Sequence, residues 1–215
     1  MDVIQRRREL MYQQGKSYVK NGLIYHWVSS DSDGNTWTDR VSGLTFNLNN
    51  VAVQTDGGLY FNGSAFGTIV DRLELPETAE FVFLQENKNF VALHFNCTNN
   101  TVATIANYQG LIRFDAISRK GWAYSDIIGN KYTISSINVG EPYCNMVKLT
   151  TGVNSGNYSK FFDGVELGAR LNANGTIRDR AMKGTIYQIR FYSRALSESE
   201  ILKNQSIDME QYRIM

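Results

Sequence analysis

Trp122 and Tyr124 stand two residues apart in Lys120-Gly121-Trp122-Ala123-Tyr124-Ser125-Asp126. On a strand, residues i and i+2 share a face, so the two rings would form a platform ~7 Å long, the scale of one or two sugar rings. Such rings stack on sugar C–H faces, while Asn, Asp, Gln and Arg pair with the hydroxyls. Lys120, Ser125 and Asp126 place polar partners beside the platform, and Gly121 lets a ligand approach the backbone. A second mixture of this kind is Asn107-Tyr108-Gln109-Gly110 with Arg113, and a third is Trp37 in Asn35-Thr36-Trp37-Thr38-Asp39-Arg40. Trp122, Tyr124, Tyr108, Arg113 and Trp37 are therefore the expected ligand-binding residues, with carbohydrate as the ligand class. The competing reading for every ring is core or rim packing, and Trp27 is assigned to the core.

The residues for catalysis are not gathered in sequence. Retaining hydrolysis of a sugar bond needs two carboxyls ~5 Å apart. Glu74, Glu77 and Glu80 recur every third residue across Pro76, which scatters them around a turn, and Glu198 and Glu200 open a surface helix. His26 and His94 each lie in an apolar strand, remote from any Gly-x-Ser-x-Gly elbow, and read as structural. Asp31-Ser32-Asp33-Gly34-Asn35 offers hard oxygen donors, but Gly34 comes too early for a calcium loop and no distal bidentate Glu follows. It reads as an Asp-Gly turn capped by its own side chains. Cys97 and Cys144 lack metal-ligand spacing and are expected to be free thiols. No enzyme activity, metal site or cofactor is expected.

Stepping from the side chains to the chain that must hold them, 215 residues with abundant aromatics and two prolines suit one sandwich domain. A net charge of +1 argues against a nucleic-acid partner. The charge is uneven, with +3 in residues 1–20 and −2 in the remainder. No apolar run reaches the ~20 residues that span a bilayer. Basic residues at the start are followed by no apolar segment, so no secretory signal peptide is expected.

Asp2 can cap a short helix through Met11, and Gln13–Ser17 reads as a linker, so residues 1–20 form an expected helical arm ahead of a domain over 21–215. From Leu23 the chain alternates short strands with turns. Glu80–Leu84 and Phe90–Phe95 bracket a polar turn, and Asp163-Gly164 separates two further apolar runs; both read as hairpins. Further strands are expected near Thr101–Tyr108, Leu111–Ala116, Lys131–Val139 and Asn145–Thr150. In Gly184–Tyr192, Tyr187, Ile189 and Phe191 alternate with Gln188, Arg190 and Tyr192, the pattern of a half-buried strand. Ser197 with Glu200 forms a capping box that starts a second short helix.

The run Gly184-Thr185-Ile186-Tyr187-Gln188-Ile189-Arg190-Phe191-Tyr192-Ser193-Arg194-Ala195-Leu196-Ser197-Glu198-Ser199-Glu200-Ile201 resembles the closing strand of laminin-G-like, concanavalin A-like lectin/glucanase domains. Asn21–Trp27 resembles their opening strand, Leu59–Ser64 their L-x-F-x-G strand, and Phe161–Leu167 their D-G hairpin. The resemblance implies an all-β jelly-roll sandwich of two antiparallel sheets, one of them curved. In many relatives the concave sheet or its rim loops bind carbohydrate, while others bind protein or act as spacers. The E-x-D-x-x-E strand of the glucanases is absent from this sequence. The expected function is a non-catalytic recognition or structural module for glycans. The alternatives are a glycoside hydrolase or lyase with an atypical carboxylate arrangement, and a protein–protein assembly module. The arm around Ile4-Gln5-Arg6-Arg7-Arg8-Glu9-Leu10-Met11 is similar to proteins of gut-bacterial phages and prophages. That similarity implies virion decoration with the arm as the docking segment, and a virion-associated or cytoplasmic location before release.

Overall fold

Alternating strands must each hide one face, and here they do so in two antiparallel sheets packed against each other. The computed structural model describes residues 17–74, 76–87, 90–96, 103–108, 111–114, 120–123, 129–137, 142–149, 152–154, 161–162, 164–172 and 174–214. The eight-stranded sheet runs Val147–Lys148, Tyr143–Cys144, Lys131–Ile137, Thr78–Gln85, Lys183–Tyr192, Leu59–Asn62, Ala52–Val53, with Leu23–Val28 also paired to Lys183–Tyr192. The nine-stranded sheet runs Gly152–Asn154, Lys120–Ala123, Leu111–Phe114, Ala103–Tyr108, Phe90–Phe95, Val165–Leu167, Phe66–Ile69, Thr45–Asn49, Thr36–Thr38. Two ribbons flank them: Leu73–Glu74 with Phe161–Phe162, and Arg170–Leu171 with Ile177–Asp179.

One apolar cluster joins the sheets; Trp27, assigned to the core from sequence, belongs to it together with Phe61, Phe83, Leu93, Ile189 and Phe191. Its rings interlock, with Trp27 and Phe46 centred 5.2 Å apart and Phe81 stacked 5.1 Å from Phe83. Such aromatics bury 150–250 Å² apiece, roughly, and dominate the apolar driving force.

The closing strand Lys183–Tyr192 is buried on both faces, not half-buried. A register shift between Ile186 and Gln188 places Tyr187 with Val82 and Ile214, away from the cluster that holds Ile189 and Phe191. Gly184 permits the close entry of this strand: it has a φ of +147°, and a Cβ there would meet the Leu84 carbonyl oxygen at 2.2 Å.

The second face of that strand is covered by the helix Glu198–Tyr212, at 15 residues longer than the short helix expected. Its capping box is formed, with the Ser197 hydroxyl accepting from the Glu200 amide and the Glu200 carboxylate accepting from the Ser197 amide. The expected N-terminal helix lies outside the described residues.

Both expected hairpins are corrected. Thr78–Gln85 pairs with Lys131–Ile137 and Lys183–Tyr192, whereas Phe90–Phe95 joins the other sheet, so the polar turn between them is a crossover between sheets. Phe161–Phe162 pairs with Leu73–Glu74, while Val165–Leu167 pairs with Phe66–Ile69 and Phe90–Phe95.

Candidate functional site

Three short segments converge at one end of the nine-stranded sheet. Thr36–Thr38 and Thr45–Asn49 pair antiparallel, so residues 39–44 must turn between them. Asp39 fixes this turn from within: it is buried, and its carboxylate accepts from the amides of His26 and Ser42 and from the Ser42 hydroxyl at 2.7 Å. The Trp27 indole donates to the Leu44 carbonyl at 3.2 Å, and the Arg40 amide donates to the His26 carbonyl at 3.0 Å. The turn is thereby tied to the strand Leu23–Val28 of the opposite sheet.

Between this turn and residues 71–72 lies an open groove of about 540 Å³. Ser42, Gly43, Leu44 and Thr45 form one wall, Asp71 and Arg72 the other, and Tyr25 and Asn47 complete the lining. Tyr25 is braced by stacking on Trp27 at 5.4 Å and by an edge contact with Phe191 at 6.2 Å. An aromatic ring, two hydroxyls, an amide, a carboxylate and a guanidinium are the set that grips a sugar ring. Exposed Val41 and Val70 immediately precede the two walls in sequence.

Asn47 also belongs to a cross-strand row. The registers set Thr36 opposite Asn47, Asn47 opposite Thr68, Thr68 opposite Glu166, and Glu166 opposite His94. Five strands thus carry a polar row on the face turned away from the core, whose residues Phe46, Val165 and Leu167 occupy the alternate positions. Burial deepens along it, from exposed Asn47 to Glu166 at 9% exposure. Glu166 accepts from the Leu171 amide at 2.8 Å, and burial raises its carboxyl above the ordinary range. Burial lowers His94 to about 4, with Arg170 adding to the effect, so the ring is neutral at pH 7. Its Nδ1 is buried without a hydrogen-bond partner. Arg170 is engaged by Asp179 through bonds of 2.7 and 2.6 Å.

Of the ligand-binding residues expected from sequence, Trp37 is corrected. It is fully buried, its indole donates to the Val28 carbonyl at 2.8 Å, and its ring stacks on Phe46. A ring enclosed in this way has no face to offer a ligand. Tyr124 lies outside the described residues. The backbone register separates the remaining three. Trp122 stands in the row Phe90, Asn107, Ile112, Trp122, Gly152, which includes the buried core residue Phe90. Arg113 and Tyr108 stand in the two adjacent rows, with Gly121 and with Ala123 respectively.

The groove residues Tyr25, Asn47, Asp71 and Arg72 escape sequence reading because they come from three segments. A partial signal exists in Asp39-Arg40-Val41-Ser42-Gly43, where an Asp precedes a Ser by three residues in a turn.

The carboxylates of Asp31 and Asp33 are committed. Asp31 holds Arg40 through two bonds of 2.5 and 2.8 Å, and Asp33 accepts from the amides of Asn35 and Thr36, which makes this segment the self-capped turn expected. Among the described residues no group of three or more His, Cys, Asp or Glu is placed to hold a metal ion. Cys144 is buried, and Cys97 lies outside the described residues. No helix among the described residues is long and apolar enough to cross a membrane.

No protein-family model and no curated protein matches the sequence. Solved structures do resemble the fold. A Trypanosoma rangeli sialidase in complex with sialic acid superposes with a TM-score of 0.60 at 15% identity, covering 96% of this chain and 39% of the sialidase. Domain 4 of a GH43 extracellular arabinanase from Geobacillus stearothermophilus, in complex with arabinotriose, gives 0.59 at 14% identity, covering 86% of this chain and 98% of that domain. The binding domain of botulinum neurotoxin serotype D/C gives 0.56 at 14% identity, covering 89% of this chain and 53% of that one. This chain therefore spans about two fifths of the sialidase but nearly the whole arabinanase domain. At these identities the likeness defines the fold alone, a β-sandwich of two antiparallel sheets.

Proposed function

We propose that this chain is a non-catalytic carbohydrate-recognition module that binds its ligand in the groove between residues 42–47 and 71–72. The observation that carries the reading is the groove itself, in which the braced Tyr25 lies among the hydroxyls, amide, carboxylate and guanidinium of Ser42, Thr45, Asn47, Asp71 and Arg72. Its wall is fixed in advance by Asp39 and Trp27, which lowers the ordering cost of binding. The arabinotriose on a domain of matching size supports the ligand class. The non-catalytic part of the reading is supported by the missing same-strand carboxylate pair. It is supported further by the engagement of buried Glu80 and Asp208 with Arg190, and by Glu166 facing a neutral His94 in place of a second carboxyl. Tyr108 and Arg113 remain the sequence-derived candidates for added contacts on the same sheet. Virion decoration through the N-terminal arm is the finer setting suggested by the phage-like segment.

A glycan array probed with the purified chain, with and without calcium, tests the reading. Binding to at least one glycan, weakened by Asn47→Ala and Asp71→Asn with an unchanged melting temperature, is the expected result. Silence across the array would overturn it. Release of reducing sugar that a single Asp or Glu substitution abolishes would overturn its non-catalytic part.

A further inference from the structure

The groove is the open end of a longer track. Asn47 lines the groove and also occupies a register position in the row that continues through Thr68 and Glu166 to His94. Neighbouring strands are ~4.8 Å apart, close to the advance of one sugar unit in an extended chain, and the three steps from Asn47 to His94 cover ~14 Å. The row offers an amide, a hydroxyl and a carboxylate at that spacing, and a hydroxyl-bearing chain laid across the strands would meet one after another. The track ends against the ribbon Arg170–Leu171 and Ile177–Asp179, whose Leu171 amide holds one Glu166 oxygen at 2.8 Å. Glu166 is nine-tenths buried and held there, its carboxylate also bonded by the Asn96 side chain, and Arg170 spends its paired bonds on Asp179.

Resting on the carbohydrate reading above, we propose that the ligand is an oligosaccharide segment of at least three units, seated in the groove and extending across the sheet over Asn47 and Thr68 to Glu166. A single sugar occupies the groove alone. Thr68 and Glu166 act only on the units beyond it, and so they set the preference for chain length.

The test uses the whole chain with arabino-, xylo- and gluco-oligosaccharide ladders of one to six units, with affinities measured by calorimetry. In the ladder that binds, the tetramer is expected to bind about tenfold tighter than the dimer, the gain from a few additional hydrogen bonds. Thr68→Ala and Glu166→Gln should cut that gain to about threefold or less and leave dimer affinity unchanged, whereas Asn47→Ala should weaken every length. Glutamine retains an acceptor for the Leu171 amide, and Thr68 is only half-buried, which protects the fold in both variants. Affinity that stops rising at the dimer, or a gain that both variants leave intact, would overturn the extended track while leaving the groove in place. No binding by any ladder at any length would overturn the track, and silence on the glycan array as well would overturn the carbohydrate reading with it.

Discussion

Arg190 and Asp208 meet in a fully buried bidentate ion pair, Nη1 to Oδ1 at 2.8 Å and Nη2 to Oδ2 at 2.6 Å. Arg190 sits in the central strand of the eight-stranded sheet and Asp208 in the helix Glu198–Tyr212, so the pair fastens the helix to the outer face of that sheet. Glu80 completes the cluster, accepting from Arg190 Nε at 2.8 Å, from Asn204 at 2.8 Å and from Ser135 at 2.9 Å, although burial pushes its carboxyl up. The Tyr18 ring lies 4.0 Å from the guanidinium carbon and closes the cluster from the other side. One outer face of the sandwich is thereby occupied by its own helix, and the polar row of the other sheet carries the proposed site.

Deleting Asp208 breaks a buried, hydrogen-bonded ion pair and leaves Arg190 with Glu80 as its remaining carboxylate partner. Asp208→Ala is expected to cost about 3–5 kcal/mol in urea unfolding, far more than loss of a surface pair. Combining Arg190→Met with Asp208→Leu should cost less than the sum of the two single changes, since the bond between the two residues is lost only once, while Glu80 loses its Arg190 partner in the single and the double variant alike. Strict additivity in that cycle would mean that the two residues act independently.

The polar face of the closing strand shows where sequence reading stops. Gln188, Arg190 and Tyr192 alternate with apolar residues and read as solvent-facing, yet all three are buried because a helix that begins beyond them in the chain folds back over them. The alternation was legible because it is a local property of the strand. The covering helix and the partner Asp208 were not, since a charge at position 208 carries no mark of the strand it will meet. The same limit hid the bulge that turns Tyr187 away from Ile189, and the division of the two expected hairpins between sheets. Trp27 was read correctly and Trp37 was not: both rings lie in aromatic-polar alternation, and the contact that encloses Trp37 is a carbonyl on Val28, in another strand.

The start of the helix makes a pH-dependent contribution. Hydrogen bonds from Arg194 and the Ser197 amide hold Glu200 at about 2, below the ordinary value of 4.5. A depressed carboxyl stabilises the fold above pH 4.5, and the contribution is lost as pH falls through the folded value. Because the pair is partly exposed and screened, it is worth about 0.2–1 kcal/mol. Ser197→Ala should cost about 1 kcal/mol at pH 7, and Glu200→Gln should reduce stability at pH 7 but not at pH 2. An equal loss at both values would rule out ionisation as the cause.

The two histidines act in a higher window. Burial lowers His26 to about 3, with Arg190 and Arg40 adding to the effect, and lowers His94 to about 4. Both are neutral in the fold, while the unfolded chain takes up protons near pH 6.5, so the unfolded state binds more protons between 6.5 and the folded values. Stability should therefore fall on acidification, by up to about 1.4 kcal/mol per pH unit for each histidine. Urea midpoints at pH 7, 6 and 5 should decline, and His94→Gln should flatten the slope above pH 4. An undiminished slope would assign the acid sensitivity to other groups.

Asp39 offers the sharpest separation between building the groove and contacting the ligand. It lines no part of the cavity, yet its carboxylate receives the His26 amide, the Ser42 amide and the Ser42 hydroxyl, and so sets where Ser42, Leu44 and Thr45 stand. Asp39→Asn keeps the size and an acceptor oxygen but removes the charge and turns an NH2 toward one of these donors. Stability should fall by about 1–3 kcal/mol, the cost of leaving a buried donor unsatisfied. Glycan affinity, measured at a temperature where the variant is fully folded, should fall about tenfold, mostly through faster dissociation, because a loosened wall must be ordered again at each binding event. Asn47→Ala should show the complementary pattern, with weakened binding and little change in stability, since Asn47 is exposed. If Asp39→Asn lowers stability and leaves binding kinetics untouched, the groove does not depend on its prearranged wall, and the ligand makes its contacts elsewhere on the sheet.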